Sequence, residues 1–257
     1  MNGSKRGRGG RTISKFKVDP HIHSYVSDGE LSPEEVVRYA ELMGLNAISI
    51  TDHDTFLGSY IALRRKSRIT VIPGAEFRTE LGDVLVLCEH VPVSSVVRLK
   101  SKNATLMHIE FTSLLDMVAR ENCVTIAVHP FALIRKGCGR LFELKYVNCV
   151  EVYNSSSDVL TNIYTIYSSQ DKECRVSGSD AHILELIGSA YTLVDADNAS
   201  AEEMLESIRK ARVKPYYNFS LEIFRLPVLV RKRLLHSLRV RLGNYGNQRK
   251  RTLLYPI

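Results

Sequence analysis

Five short apolar runs in this chain of 257 residues each end in a histidine or a carboxylate, and this recurrence constrains the fold more than any other feature. The first run ends in His21 and His23, and residues i and i+2 of an extended segment point to the same face. A single His-x-His is common on polar surfaces, so the inference depends on the five occurrences together. The four later runs end in Asp52-His53, in Glu76, in His129, and in Asp180 followed by His182.

Short strands that alternate with helices indicate a parallel sheet. Helix starts are recognisable at Ser32-Pro33-Glu34-Glu35, which reads as a capping box, and at Ser200-Ala201-Glu202-Glu203. About seven strand–helix units in one domain favour a barrel of the triosephosphate isomerase type, in which the strand ends meet at one mouth. We therefore predict an α/β fold, a (βα)7 TIM-like barrel, with the five groups in one pocket.

Composition narrows the class of protein. The apolar fraction of 44% and the charged fraction of 25% are typical of soluble globular domains. The sequence predicts no transmembrane segment, since no run of about 18 apolar residues occurs, and no secretory signal at the N-terminus. The cysteines predict free thiols in a reducing compartment, hence cytoplasm, since they are odd in number and show no Cys-x-x-Cys spacing: Cys88, Cys123, Cys138, Cys149 and Cys174.

The net charge of +7 is unevenly distributed. Residues 1–17 carry six Lys/Arg and residues 225–257 carry nine, without any acid, so the chain between them is acidic. We expect a disordered basic tail over 1–12, a barrel domain over 13–214 and a basic appendage over 215–257, with a helix over 226–242. Basic ends suit a polyanion such as nucleic acid, although solubility alone is a competing explanation. The oligomeric state is not indicated.

Imidazoles and carboxylates without thiolates suit Zn²⁺, Mn²⁺ or Fe²⁺. The candidate donors are too many for one ion, so we predict two or three divalent ions with Glu76 bridging. Two ions about 3.5–4 Å apart polarise a bridging water and hold the oxygens of a phosphoryl group. The expected reaction is hydrolysis of a phosphoester by a metal-bridging hydroxide.

The ordered motifs resemble those of the PHP (polymerase and histidinol phosphatase) family. The resemblance runs from about residue 14 to 212 and implies a distorted seven-unit barrel with a di- or trinuclear centre. It is carried by His21-Ile22-His23-Ser24 with Ser27-Asp28-Gly29, Ile50-Thr51-Asp52-His53-Asp54, Pro73-Gly74-Ala75-Glu76, Ala127-Val128-His129-Pro130 and Gly178-Ser179-Asp180-Ala181-His182.

The resemblance also implies roles for individual residues. One ion would be shared by His21, His23, Asp180 and the bridging Glu76. The second would be held by Glu76 and His129, and the third by Asp28, His53 and His182. Many family members carry a further histidine on the strand after the bridging glutamate, where this chain has Asp83. Either Asp83 is a ligand or the second site is weaker. Glu76, Asp180 and His53 are the candidate catalytic residues.

Four side chains are candidates for contact with the substrate. Surface charge or a role in a turn is the competing explanation for each of them: Arg78, Arg135, Lys136 and Asn154. Among the acids beside the motifs, Asp52 is expected to orient a ligand and Asp54 to cap the following helix.

The sequence therefore predicts a metal-dependent phosphoesterase, a hydrolase that acts on a small phosphomonoester or a nucleotide. Residues 27–35 resemble the branch of the family that cleaves nucleoside bisphosphates or trims short nucleic acids from the 5′ end, which leaves a 5′–3′ exonuclease as an alternative. An amidohydrolase-type enzyme also begins with His-x-His but usually needs a bridging lysine. A catalytically silent RNA-associated or scaffold subunit is the alternative outside the enzymes.

Overall fold

A computed structural model of the protein describes residues 13–92, 109–132, 137, 139 and 146–217. The chain divides into two compact units, 1–217 and 218–257, and all described residues belong to the first. The predicted basic tail, the predicted C-terminal helix, Arg135, Lys136 and Cys138 lie outside the described residues.

Strands and helices alternate over much of the described chain. The strands are β1 (Ser14–Ile22), β2 (Ala47–Ile50), β3 (Thr70–Val71), β4 (Gly74–Thr79), β5 (Gly82–Leu87), β6 (Val124–Ala127), β7 (Cys149–Asn154), β8 (Arg175–Gly178), β9 (Tyr191–Ala196) and β10 (Val213–Tyr216). The helices are α1 (Pro33–Leu42), α2 (Leu57–Leu63), α3 (Phe111–Arg120), α4 (Val159–Ser168) and α5 (Ala201–Arg209), with a 3₁₀ turn at Leu184–Leu186.

The strands lie in two five-stranded sheets, ordered β10-β9-β1-β2-β3 and β4-β5-β6-β7-β8. The predicted mixed α/β class is confirmed. A closed seven-unit barrel is not what the described strands form, because single bridging pairs rather than a continuous ladder connect the two sheets: Ile22 with Ala181 and His53 with Glu76.

Several strand pairs run antiparallel, where sequence alternation had suggested a parallel sheet. Only Glu80 and Leu81 separate β4 from β5, and a parallel crossover needs a dozen or more residues. The two strands therefore form a hairpin, with Gly82 at φ 121°. The pairs β5–β6, β1–β9 and β9–β10 are antiparallel as well.

Local signals located most helix starts. Ser32 and Glu35 form the predicted capping box of α1, and Ser200 caps α5. The third helix, α3, begins at Phe111 after Glu110, and its N-cap has no side-chain hydrogen bond. None of the helices in the described part of the chain has the length and apolar character needed to span a bilayer.

Two apolar clusters pack on opposite faces of the second sheet. Along β5, Leu85 and Leu87 join a cluster with Val18 and Val194 of the first sheet. Their neighbours Val84 and Val86 join a second cluster with Phe111 and Leu114 of α3. The alternation along β5 follows from the twofold repeat of a strand, so the face that carries Leu85 also carries Asp83.

The expectation of free thiols was wrong for the four described cysteines. Cys88 is bonded to Cys123, and Cys149 to Cys174. The partners are 35 and 25 residues apart in sequence, but they lie at or directly beside the ends of neighbouring strands, with Cα atoms 4.3 and 4.6 Å apart. The argument for a reducing compartment therefore loses its basis, and a cytoplasmic location stays a prediction.

Candidate metal centre

The two bridging pairs between the sheets lie at the predicted site. Ile22, between His21 and His23, pairs with Ala181, which lies between Asp180 and His182. His53 pairs directly with Glu76. The backbone thus joins four of the five sequence motifs in two pairs before any side-chain contact is considered.

Glu76 is the centre of the cluster and is fully buried. Its Oε2 lies 3.0 Å from His23 Nε2, 3.4 Å from His21 Nε2 and 3.4 Å from His53 Nδ1. Its Oε1 lies 3.0 Å from His129 Nε2. One carboxylate therefore faces four imidazoles, which is the arrangement expected of a bridging ligand.

Asp180 contacts two of the same histidines, His21 and His23, and in addition His182. Its Oδ1 lies 3.4 Å from His23 Nε2, 3.6 Å from His21 Nε2 and 3.3 Å from His182 Nδ1. Asp180 and His129 have φ values of 49° and 31°, in the left-handed region that non-glycine residues seldom occupy. Such strained backbone is typical of sites whose geometry the surrounding fold imposes.

Asp28 lies at the solvent-facing edge of the cluster. Its Oδ2 is 3.1 Å from His182 Nε2 and 3.6 Å from His53 Nε2, and its Oδ1 is 3.5 Å from His23 Nδ1. The Asp28 side chain is 32% exposed and that of His53 is 23% exposed, whereas Glu76 is buried. Solvent thus reaches the cluster at Asp28 and His53.

Asp83 reaches the cluster from β5. It pairs with Arg78 across the hairpin, and directly opposed residues of a ladder share a face. One of its oxygens lies within 4.8 Å of donor atoms of Glu76 and His129. Asp83 therefore lies where a ligand of the second ion would be.

Four groups of donor atoms fit divalent ions. In each group the atoms lie within 4.8 Å of one another, and the groups share members: His23, Asp28, His53 and His182; His21, His23 and Glu76; His21, His129 and Asp180; Glu76, Asp83 and His129. All nine sequence-predicted ligands are included. The Nδ1 atoms of His53 and His129 are buried without a hydrogen bond. Buried carboxylates grouped around imidazoles need positive charge, which bound cations supply.

The raised pKa values of two histidines, His53 and His21, also show that the cluster favours positive charge. Burial lowers the pKa of His53, but the Glu76 charge and the hydrogen bond with Asp28 outweigh it and raise that pKa to about 9. Burial likewise opposes charge on His21, yet the Glu151 and Asp180 carboxylates raise its pKa well above the usual value. Protons thus occupy positions in the metal-free cluster that metal ions would take.

The pKa values of two carboxylates, Asp28 and Glu76, are shifted downward, opposite to those of the histidines. Burial alone would raise the pKa of Asp28, but its hydrogen bonds with His182 and His53 bring it far below the usual range. Burial also opposes ionisation of Glu76, and the charges of His53 and His21 overcome it. Both acids are therefore ionised at neutral pH and available as ligands.

Two further acids support the loops around the cluster. Asp52 accepts hydrogen bonds from Ser24 N (2.8 Å), Ser24 Oγ (2.7 Å) and Ser27 Oγ (2.8 Å), and so holds the loop that carries Asp28. The expectation that Asp54 caps α2 was wrong, since α2 has Phe56 at its N-cap and no side-chain cap.

Of the predicted substrate contacts, the structure describes two. Arg78 is 31% exposed, and Asp54 accepts hydrogen bonds from its backbone N and its guanidinium. The Asn154 side chain is buried, and its amide donates to Glu151 and Asp180. Arg78 thus remains open to solvent, while Asn154 faces the inner side of the cluster.

Glu151 was missed by the sequence reasoning. It lies in the apolar run Val150-Glu151-Val152-Tyr153 of β7 and contacts His21 and the backbone of His129. The only available signal was a single acid inside an otherwise apolar strand.

Comparisons with known proteins agree with this geometry. The family model described as PHP-associated matches residues 174–213. An uncharacterised protein of Methanocaldococcus jannaschii is 27% identical over 211 residues, which cover 76% of this chain and 79% of that protein. A 5′-3′ exoribonuclease of Haemophilus influenzae is 42% identical over 66 residues, 24% of either chain.

Solved structures share the fold. A two-domain protein from Bacteroides vulgatus, containing a predicted PHP-like metal-dependent phosphoesterase, has a TM-score of 0.61 at 19% identity, covering 84% of this chain and 70% of that one. Endonuclease Q, in complex with a 27-mer duplex that carries an abasic lesion, has a TM-score of 0.59 at 15% identity, covering 77% and 57%. The matched segment, the shared fold and the ordered motifs that meet in one cluster together support membership of the PHP family.

Proposed function

We propose that this chain is a metal-dependent phosphoesterase that hydrolyses a small phosphomonoester or a nucleotide. The observation that carries the proposal is the meeting of five histidines and three further carboxylates around Glu76, in a cluster that is partly exposed at Asp28 and His53. The PHP-like fold of the solved neighbours supports it.

The proposed ligands divide among two or three ions of Mn²⁺, Zn²⁺ or Fe²⁺. His21, His23 and Asp180 hold the first with Glu76, and His129 and Asp83 hold the second with the same glutamate. Asp28, His53 and His182 hold the third. Bound ions of this kind supply Lewis acidity and lower the pKa of water, so that hydrolysis proceeds at neutral pH.

The side chains of the cluster and of Arg78 have separate proposed roles in positioning the ligands and the phosphoryl group. Glu76 and Asp180 both contact Nε2 of His21 and of His23, and so fix the spacing of these two histidines. His53 and Asp28, at the open edge, meet the phosphoryl group as it enters. Arg78 lies two residues after Glu76 on β4, on the same face, and its partly exposed guanidinium is suited to a phosphate oxygen.

A 5′–3′ exonuclease is the second candidate, favoured by the short match to the exoribonuclease and by the charge distribution. Here the α/β domain over 13–214 would cleave, and the basic segments 1–12 and 215–257 would contact the phosphates of the strand. Counterion release makes such contacts steeply dependent on salt.

A substrate panel distinguishes the candidates. Protein loaded with Mn²⁺ is assayed on sugar phosphates, histidinol phosphate, nucleoside bisphosphates and short 5′-phosphorylated oligonucleotides, at low and high salt. Release of phosphate from a small ester, with little salt dependence, supports the phosphomonoesterase. Cleavage of oligonucleotides that falls steeply with salt supports the exonuclease.

Two further results would contradict both candidates. Purified protein that neither contains nor responds to Mn, Fe or Zn, and that lacks activity, would indicate a scaffold subunit. Release of ammonia from a cyclic amide without phosphatase activity would indicate amidohydrolase chemistry.

A further inference from the structure

Glu151 is a buried carboxylate beside the cluster that belongs to none of the four donor groups. Its Oε1 lies 2.9 Å from Nδ1 of His21. Its Oε2 accepts hydrogen bonds from the backbone N of His129 at 3.1 Å and from Nδ2 of Asn154 at 2.9 Å. Oε1 of Glu151 therefore contacts His21, and Oε2 contacts His129 and Asn154.

Asn154 extends the contact to a third candidate ligand. Its Nδ2 also lies 3.3 Å from Oδ2 of Asp180. Asn162 fixes the Asn154 backbone on both sides, since Asn162 Oδ1 accepts from Asn154 N and Asn162 Nδ2 donates to Asn154 O. Glu151 and Asn154 together thus contact every member of one donor group: His21, His129 and Asp180.

The backbone leaves room for this arrangement at one glycine. A Cβ on Gly178 would lie 2.7 Å from Oε1 of Glu151 and 2.7 Å from Cβ of His21. Such separations are far shorter than a normal contact, so the approach of Glu151 to His21 requires glycine at this position of β8.

The hydrogen-bond pattern determines which nitrogen of His21 carries a proton. The backbone N–H of His129 and the amide of Asn154 can only donate, so Oε2 of Glu151 must accept from both. Oε1 is a carboxylate oxygen and also accepts, hence Nδ1 of His21 must be the donor. The lone pair of a neutral His21 then lies on Nε2, which faces Glu76 and Asp180.

We propose that Glu151, supported by Asn154, is the positioning residue for the proposed first ion, which His21 and Asp180 would hold with His23 and Glu76. It fixes the tautomer of His21, and it holds the left-handed backbone of His129 through the N–H of that residue. The inference rests on the proposed metal-dependent function and deepens it, since it singles out one ion as dependent on Glu151.

The substitution Glu151→Gln tests the proposal with little change in shape. The carbonyl oxygen of the new amide must face the two fixed donors, so its NH₂ faces Nδ1 of His21. The imidazole then has to accept there and carries its proton on Nε2, where it blocks the metal. Loss of a ligand-orienting group of this kind typically weakens metal binding about 10–100-fold.

The experiment titrates chelator-stripped protein with Zn²⁺ by calorimetry and records long-range ¹H–¹⁵N histidine spectra of the zinc-loaded protein. For E151Q we expect one zinc equivalent to bind about 10–100-fold more weakly. At a zinc concentration that fills this site in the wild type but leaves it empty in E151Q, the His21 proton should lie on Nε2 instead of Nδ1. Glu206→Gln, an exposed glutamate of α5, is the matched control and should leave both readouts unchanged.

A second variant covers the case in which E151Q does not fold in chelator. Asn154→Ala keeps Glu151 and should weaken the same equivalent by a smaller factor, with the proton still on Nδ1. Unchanged zinc affinity and an unchanged His21 tautomer in the folded variants would overturn the proposed role of Glu151. They would leave the proposed metal-dependent function standing. Wild-type protein that binds no zinc, manganese or iron would overturn the proposed function and this inference together.

Discussion

Nε2 of His53 lies 3.6 Å from Oδ2 of Asp28, across the most exposed part of an otherwise buried cluster. The opposite ring nitrogen, Nδ1, lies 3.4 Å from Glu76. His53 therefore connects the solvent-facing edge of the site with its centre, and substitutions there should affect catalysis more than folding.

For His53→Ala we expect turnover to fall by more than about 100-fold, because the third ion loses a ligand. The side chain is partly exposed, so cooperative unfolding should be retained. Steady-state assays on the best substrate of the panel and thermal unfolding check this. His90→Ala, at an exposed histidine distant from the motifs in sequence, is the control, and unchanged turnover in His53→Ala would refute the third-ion assignment.

Asp83→Asn tests whether Asp83 binds the second ion. Removing the charge should lower the metal content of the purified protein by about one equivalent or weaken that equivalent about 10–100-fold. Metal analysis after gel filtration measures the content, with Asp116→Asn on α3 as a control. Full metal content in Asp83→Asn would mean that His129 and Glu76 bind the second ion without Asp83.

The stability of the metal-free protein should fall as pH rises from about 6.5 to about 9. The folded-state pKa of His53 is raised to about 9, so its contribution is complete below the unfolded pKa of about 6.5 and is lost through this interval. The acids with lowered pKa, Asp28 and Glu76, titrate below this window. Urea unfolding in chelator at several pH values measures the effect, and His53→Ala should flatten the profile.

Metal affinity should show the opposite trend over the same interval. Ligands bind metal in their deprotonated form, so binding must displace protons from His53 and His21. Calorimetry in buffers of different ionisation enthalpy should therefore detect proton release on addition of Zn²⁺. Binding without proton release would contradict the raised pKa values of these histidines.

Reduction of the two disulfides should destabilise the fold. They close loops of 35 and 25 residues, and loops of this size contribute about 3–4 kcal/mol each. The unfolding temperature should therefore drop clearly in the presence of a reductant, as measured by calorimetry. Mass spectrometry after alkylation without reductant should find Cys88, Cys123, Cys149 and Cys174 unmodified, and their full alkylation would contradict the pairing.

The ligand-bearing motifs were accessible from the sequence because their signals are local. The twofold period of a strand places His21 and His23 on one face. The capping box of Ser32 and Glu35 spans only four residues and predicts the start of α1. The ends of short apolar runs also indicated where Glu76 and Asp180 would lie.

The remaining features depend on contacts between segments distant in sequence. The role of Glu151 depends on its contact with His21, which is 130 residues away in sequence. No local motif predicts a contact between residues so far apart. The disulfide between Cys88 and Cys123 follows from the neighbouring positions of β5 and β6, which spacing alone does not give. The division into two sheets likewise depends on strand direction, and an apolar run does not encode direction.

The hairpin of β4 and β5 has a consequence for how the site changes in evolution. Its own two-residue turn sets its register, so the residue at position 83 can be exchanged without moving the strands that carry the other donors. Carboxylate oxygens favour harder ions such as Mn²⁺, and imidazole nitrogens favour Zn²⁺ and Fe²⁺. If Asp83 binds the second ion as proposed, a substitution at this one position would change the metal preference of that site and leave the rest of the scaffold unaltered.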